Sequence, residues 1–459
     1  MYNIDFKKPI HIHFIGIGGI SMSGLAKILK HRGFTISGSD TSKSSLTKEL
    51  EDIGCKISYM QSAENITDDI DLVVYTAAIN PDNPEYRQAL NKDMDMLSRA
   101  DLLGQIMKNF NQAINVAGTH GKTTTTSMIS EILIEAQLDP TISVGGILES
   151  IGGNLRLGGS DIFLTEACEY TNSFLSFYPT IDVILNVEED HLDFFKDIND
   201  IRHSFKLFTE RLPQTGILII NSDIDNIEYF YNDTCVKVIT FGTNPYTSTF
   251  SLKDIVCDKL GNYSYTLLVN NEAAGKISLR VPGLHNVTNS LAAAALGYEL
   301  SIPFEVIAKG LYNFSGTKRR FEYKGTFNGV TVIDDYAHHP SEITATLTSA
   351  QKYPHRDIWC VFQPHTYTRT KAFLTDFASS LSLADHVVLA PIYAARETDT
   401  LGISSQNLAD ELVKLGTDVV YLPDFESIEK FLQKKCIQDD LLITMGAGNV
   451  VNIGESLIL

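Results

Sequence analysis

Short apolar runs alternate with helical patterns along most of this chain. HIHFIGIGG leads into SMSGLAKILKHRG and FTISGSD, with VVYTAAI further on, the strand–helix–strand rhythm that builds a parallel sheet. The rhythm restarts at AINVAGTHGKTTTTSMISEILIEA, where a strand enters a glycine turn and a threonine-rich helix. Strands are predicted again at DIFLTEA, DVILNV, GILIINSD and KVITFG. Residues 249–281 change to an alternating, turn-broken pattern, which predicts antiparallel strands at one edge of the central sheet. Two helical segments follow, NVTNSLAAAALGYEL and PFEVIAKGLYNF. After GTKRR a third series runs through VTVIDDYA, DIWCVFQP, HVVLAPI, DVVYLP and LLITMGAG. The prediction is an α/β protein of three domains: residues 1–107, Rossmann-like; 108–315, a mostly parallel sheet around the second glycine turn; and 316–459, Rossmann-like again. A chain of 459 residues exceeds what one hydrophobic core organises, in keeping with that division.

Composition adds exclusions. With 44% hydrophobic and 20% charged residues, the chain reads as an ordinary folded protein. Its formal charge of −19 argues against a broad nucleic-acid or anionic-membrane surface, so an anionic ligand must meet a local basic pocket. The six cysteines stand far apart, with no CxxC pair or zinc-binding spacing, and are expected as buried, reduced thiols. MYNIDFKKPI has no apolar signal core, and the chain lacks a run of about 18 apolar residues that could span a membrane. The cytoplasm is the expected compartment. Oligomeric state is not legible.

The second glycine turn carries the chemistry. In AGTHGKTTTT, Gly118 and Gly121 let backbone N–H groups approach phosphate oxygens, and Lys122 can reach the β and γ phosphates. Thr123 offers its hydroxyl to Mg²⁺, with Thr119 and Thr124 in the same turn. Val116 stands where the strict P-loop pattern has its first glycine, so the match is to a shortened variant. Its place between an apolar strand and a helix predicts a P-loop-type ATPase domain. Glu166 ends the strand DIFLTEA and is the candidate magnesium ligand, because ligands gather at the carboxyl ends of parallel strands. The plainer alternative is a solvated loop carboxylate. EEDHLD ends the next strand and sets His191 at the equivalent edge, where its imidazole would hold a second metal ion or serve as a structural histidine.

The first turn, GIGGISMSG, holds Gly16, Gly18 and Gly19 and is followed by Asp40, a layout that also describes a dinucleotide site. Ser21 takes the third glycine's place, and a dehydrogenase would leave GTHGKTTTT without a role.

Together with EACEYTNSFL, NVEEDHLD, GLHNVTNSLAAAA, GTKRRFE, DDYAHHP and QPHTYTRT, in that order, these segments resemble the Mur ligase family over essentially the whole chain. The resemblance implies an enzyme of peptidoglycan precursor synthesis that uses ATP and Mg²⁺ to join L-alanine to the lactyl carboxylate of UDP-N-acetylmuramate. It assigns Gly16, Gly18, Gly19 and Asp40 to the UDP-sugar. It implies that Asn286 touches adenine, where the residue alone reads as a helix N-cap. By the same resemblance Arg320 reaches the ATP phosphates, with Arg319 as a helper, and Asp335 holds the ribose. Tyr336 and His338 line that rim, and His365 and Arg369 meet the amino acid, whose carboxylate suits a guanidinium. Cys168 stands where many members carry an acid and is expected to be inert. Lys206, or its neighbour Phe205, falls where some members have a carbamylated lysine, and neither is assigned.

The implied reaction passes through an acyl phosphate. Lys122, Arg320 and Mg²⁺ would neutralise the phosphoryl oxygens, Glu166 would hold the metal, and His191 or His338 would take the amine's proton. Three rivals stay open: a family member that attaches a preformed tripeptide, a dinucleotide-dependent oxidoreductase, and a nucleotide switch without ligation.

Overall fold

The apolar runs become strands because helices cover them on both faces, and they gather into three sheets of five, ten and six strands. The structure is a computed structural model that describes residues 2–76, 78–395 and 397–459. The first sheet is parallel throughout, in the order Lys56–Ser58, Thr35–Ser39, His11–Ile15, Leu72–Tyr75, Met96–Ser98. That is the order of a doubly wound nucleotide-binding sheet without its sixth strand.

The second sheet is centred on strand Gln112–Ala117, which lies between Ile162–Ala167 and Ile181–Ile184 and is parallel to both. Ala117 is level with Ala167 on one side and with Ile184 on the other, so the loops leaving all three carboxyl ends open into one crevice. Helices Lys122–Glu135 and Leu284–Glu299 cover one face, the second through the fully buried run Ala292–Ala295. On the other face one apolar cluster runs unbroken from Phe14 of the first sheet and Leu29 of helix Ile20–His31 to Phe163 and Ile220 of the second. The two domains therefore share a core.

The predicted antiparallel edge is formed by Phe250–Cys257, Asn262–Val269 and Glu272–Pro282. At the opposite edge the structure adds Thr141–Leu148 and, antiparallel to it, Gly153–Arg156. The sequence reading missed this pair because TISVGGIL and GNLR lack regular alternation. The third sheet is ordered Glu322–Phe327, Val330–Asp335, Leu441–Met445, Ile358–Phe362, His386–Leu389, Asp418–Tyr421, antiparallel only at its first pair, with apolar clusters on both faces. The segment leading into it has φ of 110° at Gly316, 62° at Arg319 and 48° at Phe321.

Cysteine burial is corrected. Cys55, Cys360 and Cys436 are buried, but Cys168, Cys235 and Cys257 are exposed, because they sit in loops or at a strand end that leave the core; all six are free thiols. Among the described residues no helix is long and apolar enough to cross a membrane.

Candidate active site

Gly118 and Gly121 have φ of 143° and 82°, in the region glycine alone enters cheaply. A Cβ on Gly121 would stand 2.7 Å from Asn289 Oδ1, so the turn leaves no room for a side chain. Asn186 clamps the turn: its Oδ1 accepts the His120 N–H at 2.8 Å, and its Nδ2 donates to the His120 carbonyl at 3.1 Å. Thr119 Oγ1 accepts the Glu188 N–H at 2.9 Å. Gly121 then caps helix Lys122–Glu135, which turns the free N–H groups of the first turn, Thr123 and Thr124 included, toward the crevice. Lys122 folds over the loop, donating to the carbonyls of Gly118 at 2.5 Å and Thr119 at 3.1 Å and pairing with Glu169 at 3.1 Å. Burial opposes its charge, Glu169 outweighs that, and the pKa is raised.

Thr123 Oγ1 donates to Glu166 Oε2 at 3.0 Å, while the Gly145 N–H meets Glu166 Oε1 at 2.5 Å. A hydroxyl beside a carboxylate suits a hard divalent cation that takes its remaining ligands from phosphate and water. Among the described residues no group of three or more His, Cys, Asp or Glu side chains could hold a metal alone. His191 lies with other partners: its Nε2 is 4.0 Å from Glu169 and 3.7 Å from Asp190, and its ring stacks on Tyr170 at 4.5 Å.

A cavity of about 220 Å³ opens beside the loop, between the second and third sheets, with Asn286, Arg320 and Asp335 in its wall. Asn286 is not the N-cap: Gly283 caps that helix, and Asn286 reaches back from the first turn to donate to the Pro282 carbonyl at 2.7 Å. Asp335 accepts the N–H groups of Ala337 and Phe321 at 2.7 and 2.8 Å. Burial lifts its pKa to about 6 against the pull of Arg320. The paired arginines diverge. Arg319 turns away to Asp334 at 3.0 Å and the Gly446 carbonyl at 2.7 Å, whereas Arg320 stays in the cavity, 3.6 Å from Glu342. Tyr336 packs against both guanidinium groups, at 4.8 and 5.2 Å, and lines neither cavity.

The second cavity, about 530 Å³, lies between the loop after Ile181–Ile184 and helix Tyr367–Ala372, with His191, His338, His365 and Arg369 in its wall. Arg369 donates to Asp190 across the seam at 2.8 Å, with side chains only 10% and 8% exposed. Burial works against the Asp190 carboxylate, but Arg369 holds its pKa far below the usual range. His365 Nδ1 lies 3.3 Å from Arg369, and burial with that charge lowers its pKa to about 4. Glu397 accepts the N–H groups of Tyr367 and Thr368 at 2.7 and 3.0 Å and so anchors the helix that carries Arg369.

In the first domain Gly16 has φ of 81°, Gly19 caps helix Ile20–His31, and the Gly18 N–H donates to Asp40 Oδ2 at 2.8 Å. Asp40 thus braces the turn. Arg99, which the sequence reading passed over, donates to Ser21 at 3.1 Å beside it. Lys206 is tied to Asp233 on the surface.

His120 also escaped notice, although it lies within the phosphate turn. Its ring joins Glu188 at 3.4 Å to Glu342 at 3.4 Å and Ser341 at 2.8 Å, thereby linking the second and third sheets. Burial disfavours its charge, but both carboxylates favour it, and the pKa rises to about 9.

Three α/β domains, a phosphate turn at a sheet switch point and two cavities on one seam define a nucleotide-handling enzyme. The chain matches, in order, the models for the Mur ligase family catalytic domain over residues 11–111, the Mur ligase middle domain over 116–297 and the Mur ligase glutamate ligase domain over 319–448. It belongs to the Mur ligase family, whose members are ATP-dependent ligases. It is 66% identical to UDP-N-acetylmuramate–L-alanine ligase of Lachnospira eligens and 60% identical to that of Agathobacter rectalis, each over 100% of both chains. Among solved structures it resembles UDP-N-acetylmuramate-alanine ligase from Thermotoga maritima, with a TM-score of 0.80, 28% identity and 98% of both chains covered. A murein peptide ligase from Psychrobacter arcticus has a TM-score of 0.70 and 25% identity over 98% of both chains.

Proposed function

We propose that this protein joins L-alanine to the lactyl carboxylate of UDP-N-acetylmuramate at the expense of ATP, in domains bounded near residues 107 and 315. The observation that carries the reading is the placement of the phosphate turn and the Arg369 pocket on the same interdomain seam, which lets one acyl group be phosphorylated and then aminated without leaving. The full-length identity to L-alanine ligases favours this acceptor over a tripeptide. The turn at Gly16, Gly18 and Gly19, with Arg99, takes the diphosphate of the sugar nucleotide. Gly118 to Thr124, Asn286, Arg320 and Asp335 take ATP. Thr123 and Glu166 hold Mg²⁺, which supplies charge neutralisation at the phosphates.

A lactyl carboxylate oxygen attacks the γ-phosphorus in line, the bond to the ADP oxygen breaks, and Lys122 and Arg320 stabilise the equatorial oxygens. Arg369 and His365 hold the alanine carboxylate. The neutral amine adds to the acyl carbon, a histidine takes its proton, and the C–O bond to phosphate breaks to leave the amide. The test mixes the protein with ATP, Mg²⁺, UDP-N-acetylmuramate and each amino acid in turn, and measures phosphate and amide together. Alanine should give one amide per phosphate; a tripeptide used in preference to alanine, or no phosphate with any acceptor, overturns the reading.

A further inference from the structure

The two cavities meet at one side chain. Glu342, in the first turn of helix Pro340–Ala350, presents Oε1 to Arg320 at 3.6 Å and to His120 at 3.4 Å, both on the nucleotide side. It presents Oε2 to His338 Nδ1 at 3.2 Å and accepts the His338 N–H at 3.1 Å, and His338 lines the amino-acid cavity. His338 Nδ1 also lies 2.9 Å from the Tyr336 carbonyl. The Tyr336 carbonyl takes the hydrogen on Nδ1, and the Glu342 carboxylate beside it disfavours a lone pair there, which leaves the lone pair on Nε2. A base oriented by a carboxylate through its far nitrogen is the arrangement that proton abstraction needs.

We propose that Glu342 is a positioning residue that fixes the tautomer of His338, so that Nε2 accepts the proton of the incoming amine, and that ties this orientation to the nucleotide side through Arg320 and His120. The inference rests on the ligase reading above and chooses His338 over His191 as the base. When the phosphate groups of ADP and of the acyl phosphate engage Arg320, the Glu342 carboxylate loses one cationic partner and its negative charge bears more on His338. The amine is thus deprotonated most readily when nucleotide is seated. Besides Glu342, the charged and titratable groups facing His338 are Arg369, Asp190, His365 and Tyr336. Burial outweighs Glu342 and holds His338 near a pKa of about 4, so its imidazole is neutral and its lone pair free at neutral pH.

Hydroxylamine separates the roles, because it is neutral near pH 7 and attacks an acyl phosphate without a base. ADP release and product are measured in the full-length protein with alanine and with hydroxylamine as acceptor. Glu342→Gln should slow the alanine reaction at least about tenfold, while hydroxamate formation stays within about threefold, the signature of a lost base contribution. His338→Gln should show the same split, and the double variant should be no worse than the poorer single one, as for residues acting as a unit. Equal losses with both acceptors in Glu342→Gln and Glu342→Asp would make Glu342 a structural or nucleotide-binding group and overturn the proposal. So would an unchanged alanine rate, or multiplied losses in the double variant. Absence of ADP release from the unmodified protein with either acceptor defeats the ligase reading itself, before any variant is considered.

Discussion

Replacing Arg369 by alanine removes the cation that faces the amino acid and also strands Asp190, whose side chain is only 8% exposed and whose ion pair spans 2.8 Å. Removing one partner of a buried pair costs about 3–5 kcal/mol, because the remaining charge stays desolvated. If the closed seam bears that cost during the reaction, kcat/KM for alanine should fall by about 100- to 4,000-fold, at about 1.4 kcal/mol per tenfold. Part of the loss belongs to the stranded carboxylate and not to alanine. Asp190→Asn in the same chain should therefore recover roughly tenfold, the scale of a relieved unpaired charge. Steady-state kinetics with alanine and ATP varied separately read out both effects, and the KM for ATP should move less than about threefold if the nucleotide cavity is untouched. Equal rises in both KM values would remove Arg369 from the amino-acid pocket. A double variant poorer than Arg369→Ala alone would refute the stranded-charge argument.

Lys122→Ala should lower kcat at least about 100-fold, the scale of losing one electrostatic stabiliser, and should also lower the melting temperature because it strands Glu169, only 3% exposed; normal turnover would remove the phosphate turn from catalysis. Asp182 is fully buried in register with Asn115, and burial raises its pKa well above 3.8. The folded chain keeps a proton that the unfolded chain loses above its own pKa, so the contribution of Asp182 to stability is full below that value and declines by up to about 1.4 kcal/mol per pH unit as pH rises. Asp182→Asn should thus gain in melting temperature relative to the parent between pH 4 and 7, and parallel profiles would refute this. A Cβ on Gly104 would lie 2.0 Å from the Ser176 carbonyl oxygen, where the first two domains share their core. Gly104→Ala should cost about 1–3 kcal/mol by overpacking, read by denaturant unfolding, and an unshifted midpoint would show that the two domains part there freely.

The parallel strands were legible because burial on both faces writes them as unbroken apolar runs, as in ILIIN and IWCVF. Thr141–Leu148 was not, since its glycines suppress any period. The phosphate turn announced itself through Gly118, Gly121 and Lys122, which are local in sequence. His120, Asp190 and Glu342 did not, because their meaning depends on partners more than a hundred residues away that only the closed seam brings near. Asn286 misled for a local reason: an asparagine before an apolar helix resembles a cap, yet a glycine with φ of 101° three residues earlier already fills that place.

The segment entering the third domain holds Gly316, Arg319 and Phe321 on the left-handed side of the backbone map. For the two residues with a Cβ this costs about 1–2 kcal/mol each, so the passage from helix Phe304–Asn313 into strand Glu322–Phe327 is held in a strained course and is not a slack tether. Glycine at position 319 would relieve that backbone cost but would also cut the Arg319 ties to Asp334 and the Gly446 carbonyl, so the same residue both strains the junction and fastens it.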